Sequence, residues 1–178
     1  GYQIFEWKCC DGEVLCTKFT PDLKTLVACC DDGSIRLYNW DNPNAPPITL
    51  EGHEDAVTSC AFSSNINHST KMASVSWDGT AKIWDLQSHT CTVTCTGHEG
   101  WVRCCTFGRF LTTGDDDGYV HVFVIGGTEP QKNIKIHDGA INALCCNTDE
   151  SNLLSCSDDG TLHVLNLLTY EMVCKMEG

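Results

Sequence analysis

Apolar and polar residues alternate along the chain in short runs, which is typical of half-buried β-strands. In the first two parts of the chain these runs occupy residues 14–19, 25–30, 34–39, 57–62, 72–76 and 80–85. A further short run closes each part, at residues 48–50, 92–96, 133–136 and 171–176. No segment has the periodicity of a long amphipathic helix, so the sequence predicts an all-β fold.

Asp-Gly dipeptides recur along the chain and separate pairs of predicted strands. Those that separate two predicted strands of one unit begin at Asp32, Asp78, Asp117 and Asp159, at spacings of 46, 39 and 42 residues. Upstream of the last three stand His53, His98 and His137, spaced by 45 and 39 residues, with Cys10 at the corresponding place in the first unit. Asp-Gly is a preferred two-residue turn of β-hairpins because both of its residues tolerate positive φ. Four strands in a period of about 42 residues are typical of one β-propeller blade.

The dipeptides at the ends of these units resemble the markers of the WD40 repeat family. Gly52-His53 opens the second unit, Trp84-Asp85 ends its third strand, and Gly97-His98 opens the third unit. The resemblance implies a WD40 β-propeller segment with about four blades. Its repeats cover approximately 1–41, 42–86, 87–125 and 126–167, with outer strands at 1–8 and 168–178. We expect part of a seven- or eight-bladed propeller; a closed four-blade ring and an eight-blade assembly of two chains are the alternatives.

The same resemblance implies a buried hydrogen-bond network in each blade, made by a His, a Ser or Thr, the turn Asp and a Trp. The matching positions are His53, Ser74, Asp78 and Trp84 in the second unit, His98, Thr113 and Asp117 in the third, and His137, Ser155 and Asp159 in the fourth. Phe123 and Leu165 stand in the Trp place, and the first unit keeps only Asp32. We expect these sets to be structural, since a buried serine presents no nucleophile.

Cysteine is abundant, with 14 residues in a chain of 178. No C-x-x-C motif occurs, and Cys91 and Cys95 would stand about 13 Å apart along a strand, too far to share a metal ion. We therefore expect no metal or cofactor site and interpret the cysteines as small buried hydrophobic residues in a reducing cytoplasm. Cys16, Cys60 and Cys105 fall on predicted innermost strands. A disulfide framework, or metal-binding or catalytic thiols, are the alternatives.

The chain is acidic, with 11 Lys+Arg against 24 Asp+Glu and a formal charge of -13. This balance argues against nucleic acid as a partner, and no apolar run is long enough for a membrane span. In the WD40 family, residues beside the turn Asp and after the GH dipeptide often meet ligands on one face. The matching candidates here are Asp31, Asp32, Trp77, Trp101, Arg103, Asp115, Asp116 and Asp158. An acidic rim with two tryptophans predicts a basic protein or a Lys/Arg-rich peptide as the partner.

Three stretches, residues 19–40, 80–84 and 97–118, resemble the C-terminal propellers of the apoptotic protease-activating factor family of apoptosome scaffolds. This resemblance implies a sensor propeller that binds a basic protein such as cytochrome c and controls caspase activation in apoptosis. Asp31 and Asp32 are then the first candidates to receive its lysines. The alternative is a generic cytoplasmic WD40 adaptor in a ubiquitin-ligase, signalling or trafficking complex. No phosphate loop, metal-ligand spacing or nucleophile elbow occurs in the sequence, so we expect a scaffold within a larger chain or assembly, without enzymatic activity.

Overall fold

The computed structural model describes residues 6–63 and 70–177, and within these ranges the strands form four antiparallel sheets of four strands each. Blades 1 and 2 contain β1 (Val14–Phe19), β2 (Thr25–Cys30), β3 (Ile35–Asn39), β4 (Ile48–Leu50), β5 (Val57–Phe62), β6 (Lys71–Ser76), β7 (Ala81–Asp85) and β8 (Thr90–Cys95). Blades 3 and 4 contain β9 (Val102–Phe107), β10 (Phe110–Asp115), β11 (Tyr119–Val124), β12 (Lys132–Lys135), β13 (Ile141–Cys146), β14 (Asn152–Ser157), β15 (Thr161–Asn166) and β16 (Met172–Glu177).

The all-β prediction is confirmed, and the predicted short runs differ from the observed strands by at most two residues at either end. The outer strand predicted at 168–178 is β16, which begins four residues later, at Met172. The Asp-Gly turns join the second and third strands of each blade, as predicted, but only the glycine of each turn has positive φ, so they are not the two-residue turn in which both residues do. One predicted strand, at residues 1–8, lies largely outside the described residues, and its described part, residues 6–8, forms no strand. The blades are also offset from the predicted repeats, because β4, β8, β12 and β16 each complete the sheet of the preceding unit.

A β-bulge interrupts the first strand of every blade near its beginning. The ladder skips one residue in each case, and the skipped residues are Leu15, Thr58, Arg103 and Asn142. A bulge turns its extra residue away from the regular alternation of a strand. It therefore redirects Arg103 and Asn142, which lie at the same position in blades 3 and 4.

Three apolar layers hold the blades together, one between each consecutive pair. Ile35 and Leu50 of blade 1 pack with Met72 and Trp84 of blade 2. The second layer joins blade 2 to blade 3 around Ile83, Phe107, Leu111 and Phe123, and the third joins blade 3 to blade 4 around Val122, Ile141, Leu153 and Leu165. Trp84, Phe123 and Leu165 occupy one position in three blades, and each faces the preceding blade. Both faces of the inner blades are thus buried, as in a stack of β-sheets.

The four blades form an open arc. Their innermost strands pack in chain order, β1 on β5, β5 on β9 and β9 on β13, and among the described residues β1 and β13 do not pack in the same way. This arrangement is that of four blades of a larger propeller. In the described ranges no helix combines the length and apolarity needed to cross a membrane.

Candidate protein-binding face

The predicted network of blade 2 is present as a continuous chain of hydrogen bonds. The Trp84 indole N–H donates to Ser74 Oγ at 2.8 Å, and Ser74 Oγ lies 2.7 Å from His53 Nε2. His53 Nδ1 lies 2.8 Å from Asp78 Oδ2. The Asp78 carboxylate accepts a hydrogen bond from Nδ1–H, so the unprotonated Nε2 accepts a hydrogen bond from the Ser74 hydroxyl. Ser74 is fully buried between these partners and inaccessible to a substrate.

Asp78 anchors this network to the turn. Burial alone would raise the pKa of its carboxyl, but hydrogen bonds from His53, Thr80 and the Glu54 backbone N–H outweigh it and hold that pKa well below its usual range. Asp78 is therefore ionised at neutral pH and fixes the Nδ1 proton of His53.

The network of blade 3 uses a different aspartate from the predicted one. His98 Nδ1 lies 2.7 Å from Asp115 Oδ2, while His98 Nε2 lies 2.6 Å from Thr113 Oγ1. Asp117, the predicted member, is exposed instead. Asp115 is only 2% exposed, so its prediction as a partner-binding residue is also wrong.

Side-chain length explains this exchange. Asp115 stands where blades 2 and 4 have Ser76 and Ser157, whose hydroxyls accept the backbone N–H two residues on. The longer Asp115 side chain accepts the same bond, from the Asp117 N–H at 3.1 Å, and also reaches His98. In the other three turns a Ser or Thr stands two residues after the aspartate and donates its hydroxyl to it. Tyr119 stands at that place after Asp117. The sequence could have indicated the exchange of aspartates, because Asp-Gly is followed by Ser or Thr in the other three turns and by Tyr in this one.

Blade 4 matches its prediction, and blade 1 differs from the other blades as its sequence indicated. His137 Nδ1 lies 3.0 Å from Asp159 Oδ2, and His137 Nε2 lies 2.8 Å from Ser155 Oγ. In blade 1 the Cys10 thiol donates to the Glu13 carbonyl at 3.5 Å in place of a histidine. Asp32 there accepts from Ser34 and pairs with Arg36 at 3.0 Å.

Sequence reasoning missed two histidine stacks beside the networks. The His121 ring lies parallel to that of His98 with centroids 3.7 Å apart, and His163 stacks on His137 at 4.0 Å. Burial, with a smaller contribution from His98, lowers the pKa of His121 to about 4, so its ring is neutral. Burial likewise lowers the pKa of His163. His121 and His163 each stand two residues before the residue in the Trp84 position, and side chains two apart on a strand share a face, which could have indicated that they lie beside the networks.

Among the described residues, two groups of three side chains bring metal-ligand atoms within 4.8 Å of one another: His98 with Asp115 and His121, and Cys16 with Cys29 and Cys60. The histidine group fits an ion poorly. Both ring nitrogens of His98 are already hydrogen-bonded, and stacked rings direct their lone pairs along parallel planes, not towards one centre. The cysteine group has no such conflict.

The residues before the turn aspartates form a repeated feature on one end of the blades, which we call the turn face. Each donates its backbone N–H, at 3.0 Å, to a carbonyl of the loop that leads into its own blade. The donors are Asp31, Trp77, Asp116 and Asp158, and the acceptors are Glu13, Ala56, Trp101 and Ala140. Because the contact is the same in all four blades, these side chains occupy equivalent places on the turn face.

The turns also pack against the loop of the next blade, which makes the turn face continuous. Gly33 has a φ of +83°, and a Cβ at this position would lie 2.9 Å from the His53 carbonyl oxygen. Glycine is therefore needed there both for its backbone conformation and for the close approach.

Two tryptophans form the aromatic part of the turn face. The rings of Trp77 and Trp101 are stacked with centroids 4.9 Å apart, yet they remain 37% and 52% exposed. Arg103 is also exposed, at the bulge of β9. An exposed aromatic stack offers a rigid apolar contact to a partner.

The acidic candidates differ in how they are held. The Asp31 and Asp116 carboxylates lie over Gly12 and Gly100, and Asp158 accepts from the Asn142 amide at 2.5 Å. Asp32 is exposed but already has Arg36 as its counter-ion. Asp31, Asp116 and Asp158 therefore occupy equivalent positions on the turn face. Among the described residues none of them has a cationic partner.

The repeats match a family model described as "WD domain, G-beta repeat" over residues 1–39, 44–85, 89–123 and 128–166. This match covers most of the chain. The chain belongs to the WD40 repeat family. The networks around His53, His98 and His137 are therefore the structural networks of WD40 blades.

Several WD40 relatives are similar to this chain over much of its length. Apoptotic protease-activating factor 1 of Homo sapiens is 27% identical over 86% of the chain. Nuclear distribution protein PAC1 of Arthroderma benhamiae is 32% identical over 64% of it, and E3 ubiquitin-protein ligase COP1 of Arabidopsis thaliana is 26% identical over 88%. The matches span only 16%, 27% and 25% of these proteins' own lengths.

Proposed function

We propose that the turn face of this WD40 scaffold binds a basic segment of a partner protein. The WD40 fold supports an interaction scaffold, and the observation that carries the proposal is the exposed stack of Trp77 and Trp101 beside Asp116. Lysine and arginine stems pack on aromatic rings while their charged ends pair with carboxylates. The formal charge of -13 adds long-range attraction for a cationic partner.

The proposed contacts are divided between two kinds of side chain. Trp77 and Trp101 provide the buried anchor of the interface, and Asp31, Asp116 and Asp158 provide charge around it. Arg103, at the edge of the same face, disfavours a cation directly beside it and so restricts how a basic segment can lie. Asp32 contributes less, because Arg36 already neutralises it.

Binding of a fluorescent Lys/Arg-rich peptide, measured by anisotropy over a range of salt concentrations, tests this proposal. The triple substitution of Asp31, Asp116 and Asp158 to Asn should weaken binding at least about tenfold at low salt and flatten its salt dependence. Asp22 and Asp149 lie in turns at the opposite end of the blades, so the Asp22→Asn/Asp149→Asn variant is the matched control and should bind normally. Equal losses in both variants, or affinity independent of salt, would refute the charge complementarity.

A second candidate is narrower: a sensor propeller of an apoptosome-type adaptor with a cytochrome c-like partner. The similarity to apoptotic protease-activating factor 1 over 86% of the chain favours it. Cytochrome c added in the same assay separates the two candidates. Submicromolar binding that Asp31→Asn and Trp101→Ala both weaken would support the apoptosome role, whereas peptide binding without cytochrome c binding would leave the generic adaptor alone. We propose a cytoplasmic location in either case, since every described cysteine is a free thiol.

A further inference from the structure

Three cysteines meet in the apolar layer between blades 1 and 2. Cys16 on β1 stands directly opposite Cys29 on β2, and Cys60 on β5 approaches them from the next blade. The three sulfur atoms all lie within 4.8 Å of one another. A tetrahedral thiolate site with metal–sulfur bonds of about 2.3 Å has sulfur atoms roughly 3.8 Å apart, so only a small contraction separates this cluster from a metal site.

The fold does not require cysteine at these places, as the other blades show. The positions equivalent to Cys16, Cys29 and Cys60 between blades 2 and 3 hold Ser59, Val75 and Cys105. Between blades 3 and 4 they hold Cys104, Gly114 and Leu144. Small and medium side chains of several kinds therefore fill this place, and only the first layer fills it with three thiols.

The partners of these thiols also differ from those of the cysteines that merely fill the core. Cys104 and Cys95 donate to backbone carbonyls, those of Ile141 at 3.5 Å and Gly127 at 3.4 Å. The Cys16, Cys29 and Cys60 sulfur atoms instead lie against one another, all within 4.8 Å.

We propose that Cys16, Cys29 and Cys60 bind a thiophilic d10 metal ion, zinc(II) or copper(I), which links blade 1 to blade 2. Thiolates are the ligands that select these ions. Cys60 also lines a cavity of about 510 Å³ together with Lys18 and Cys105. Cys29 and Cys60 are fully buried, so the partly exposed Cys16 is the member of the cluster that an ion would reach first.

Cobalt(II) and copper(I) titrations of the reduced protein, under anaerobic conditions and without added thiol, test the proposal. Cobalt(II) is the spectroscopic probe for zinc(II), and one equivalent should produce thiolate-to-cobalt charge-transfer absorption that zinc(II) abolishes. Binding of one equivalent of copper(I) without that cobalt absorption would assign the site to copper(I). Absence of stoichiometric binding of both ions overturns the proposal.

Matched variants locate the site. Cys16→Ser should weaken binding of the tighter ion at least about 100-fold, because one of three thiolates is lost. Cys104→Ser is the control, since Cys104 occupies the equivalent strand position in blade 3 and should leave the affinity unchanged. Equal affinities for the Cys16→Ser variant and the unaltered protein would overturn the assignment.

Thiol alkylation read by mass spectrometry provides a test that needs no variant to fold. The bound ion should slow alkylation of Cys16, Cys29 and Cys60 at least about tenfold while leaving the exposed Cys91 and Cys174 unchanged. Protection of other cysteines in their place would contradict the site. A bound ion should also raise Tm, because it joins two blades.

Discussion

The indole rings of Trp77 and Trp101 stack with their centroids 4.9 Å apart and an interplanar angle of 23°. Trp77 precedes the Asp-Gly turn of blade 2, and Trp101 belongs to the loop that enters blade 3. The pair therefore joins two blades on the turn face while both rings keep exposed surface.

This stack predicts energetic coupling between its members. In a double-mutant cycle, Trp77→Ala and Trp101→Ala should show a coupling free energy of about 0.5–1.5 kcal/mol in urea unfolding, in addition to the separate costs of the two truncations. A Trp77→Ala/Trp40→Ala cycle serves as the control, because Trp40 contacts Phe19 and Trp7 elsewhere. Strict additivity in the first cycle would show that the stack contributes nothing to stability.

The exchange of aspartates in blade 3 predicts opposite outcomes for two neighbouring substitutions. Asp115→Asn should lower the free energy of unfolding by about 1–3 kcal/mol, because the buried His98 ring loses its ionised partner. Asp117→Asn should change it by less than about 0.5 kcal/mol, since that side chain is exposed. Urea denaturation of both variants measures the difference, and a larger effect of Asp117→Asn would restore the sequence-based assignment.

The complete network of blade 2 makes Trp84 more sensitive to substitution than the other tryptophans. Trp84→Phe should cost about 1–3 kcal/mol, because Ser74 Oγ loses the indole N–H and the layer between blades 1 and 2 loses volume. Trp40→Phe is the matched control at a site that is 50% exposed. Thermal or urea unfolding compares them, and indistinguishable values would mean that the Trp84 hydrogen bond is dispensable.

His121 predicts loss of stability on mild acidification. The pKa of His121 in the folded state is about 4, below the ordinary value of 6.5. Between these two pH values the imidazole is protonated in the unfolded state and neutral in the folded state. Stability should therefore be fully present above about pH 6.5 and fall towards pH 4, by on the order of 1–2 kcal/mol for this residue. The His121→Phe substitution keeps an aromatic ring stacked on His98 but removes the titrating group. The difference in the free energy of unfolding between pH 7 and pH 5, measured with urea, should therefore be smaller in this variant. An unchanged difference would assign the pH dependence to other groups.

The sequence by itself determined the blades. Turn chemistry and alternation are local, so Asp-Gly and the flanking runs indicated β2, β3, β6 and β7 within one residue at either end. The place of Asp78 in its network was implied by the resemblance to the WD40 family. The same implication failed in blade 3, because the hydrogen bond to His98 depends on which carboxylate reaches the ring, and Asp115 does so from the end of β10.

Only the tertiary structure decided which side chains of neighbouring blades come into contact. Trp77 and Trp101 lie 24 positions apart in the chain, and their stack exists because one blade's turn packs on the next blade's loop. Cys16, Cys29 and Cys60 show the same dependence. Metal-ligand spacing along a strand gave no indication of a site, whereas antiparallel pairing joins the first two and packing between blades adds the third. Sequence spacing reports contacts within a hairpin, and contacts between sheets depend on how the blades pack.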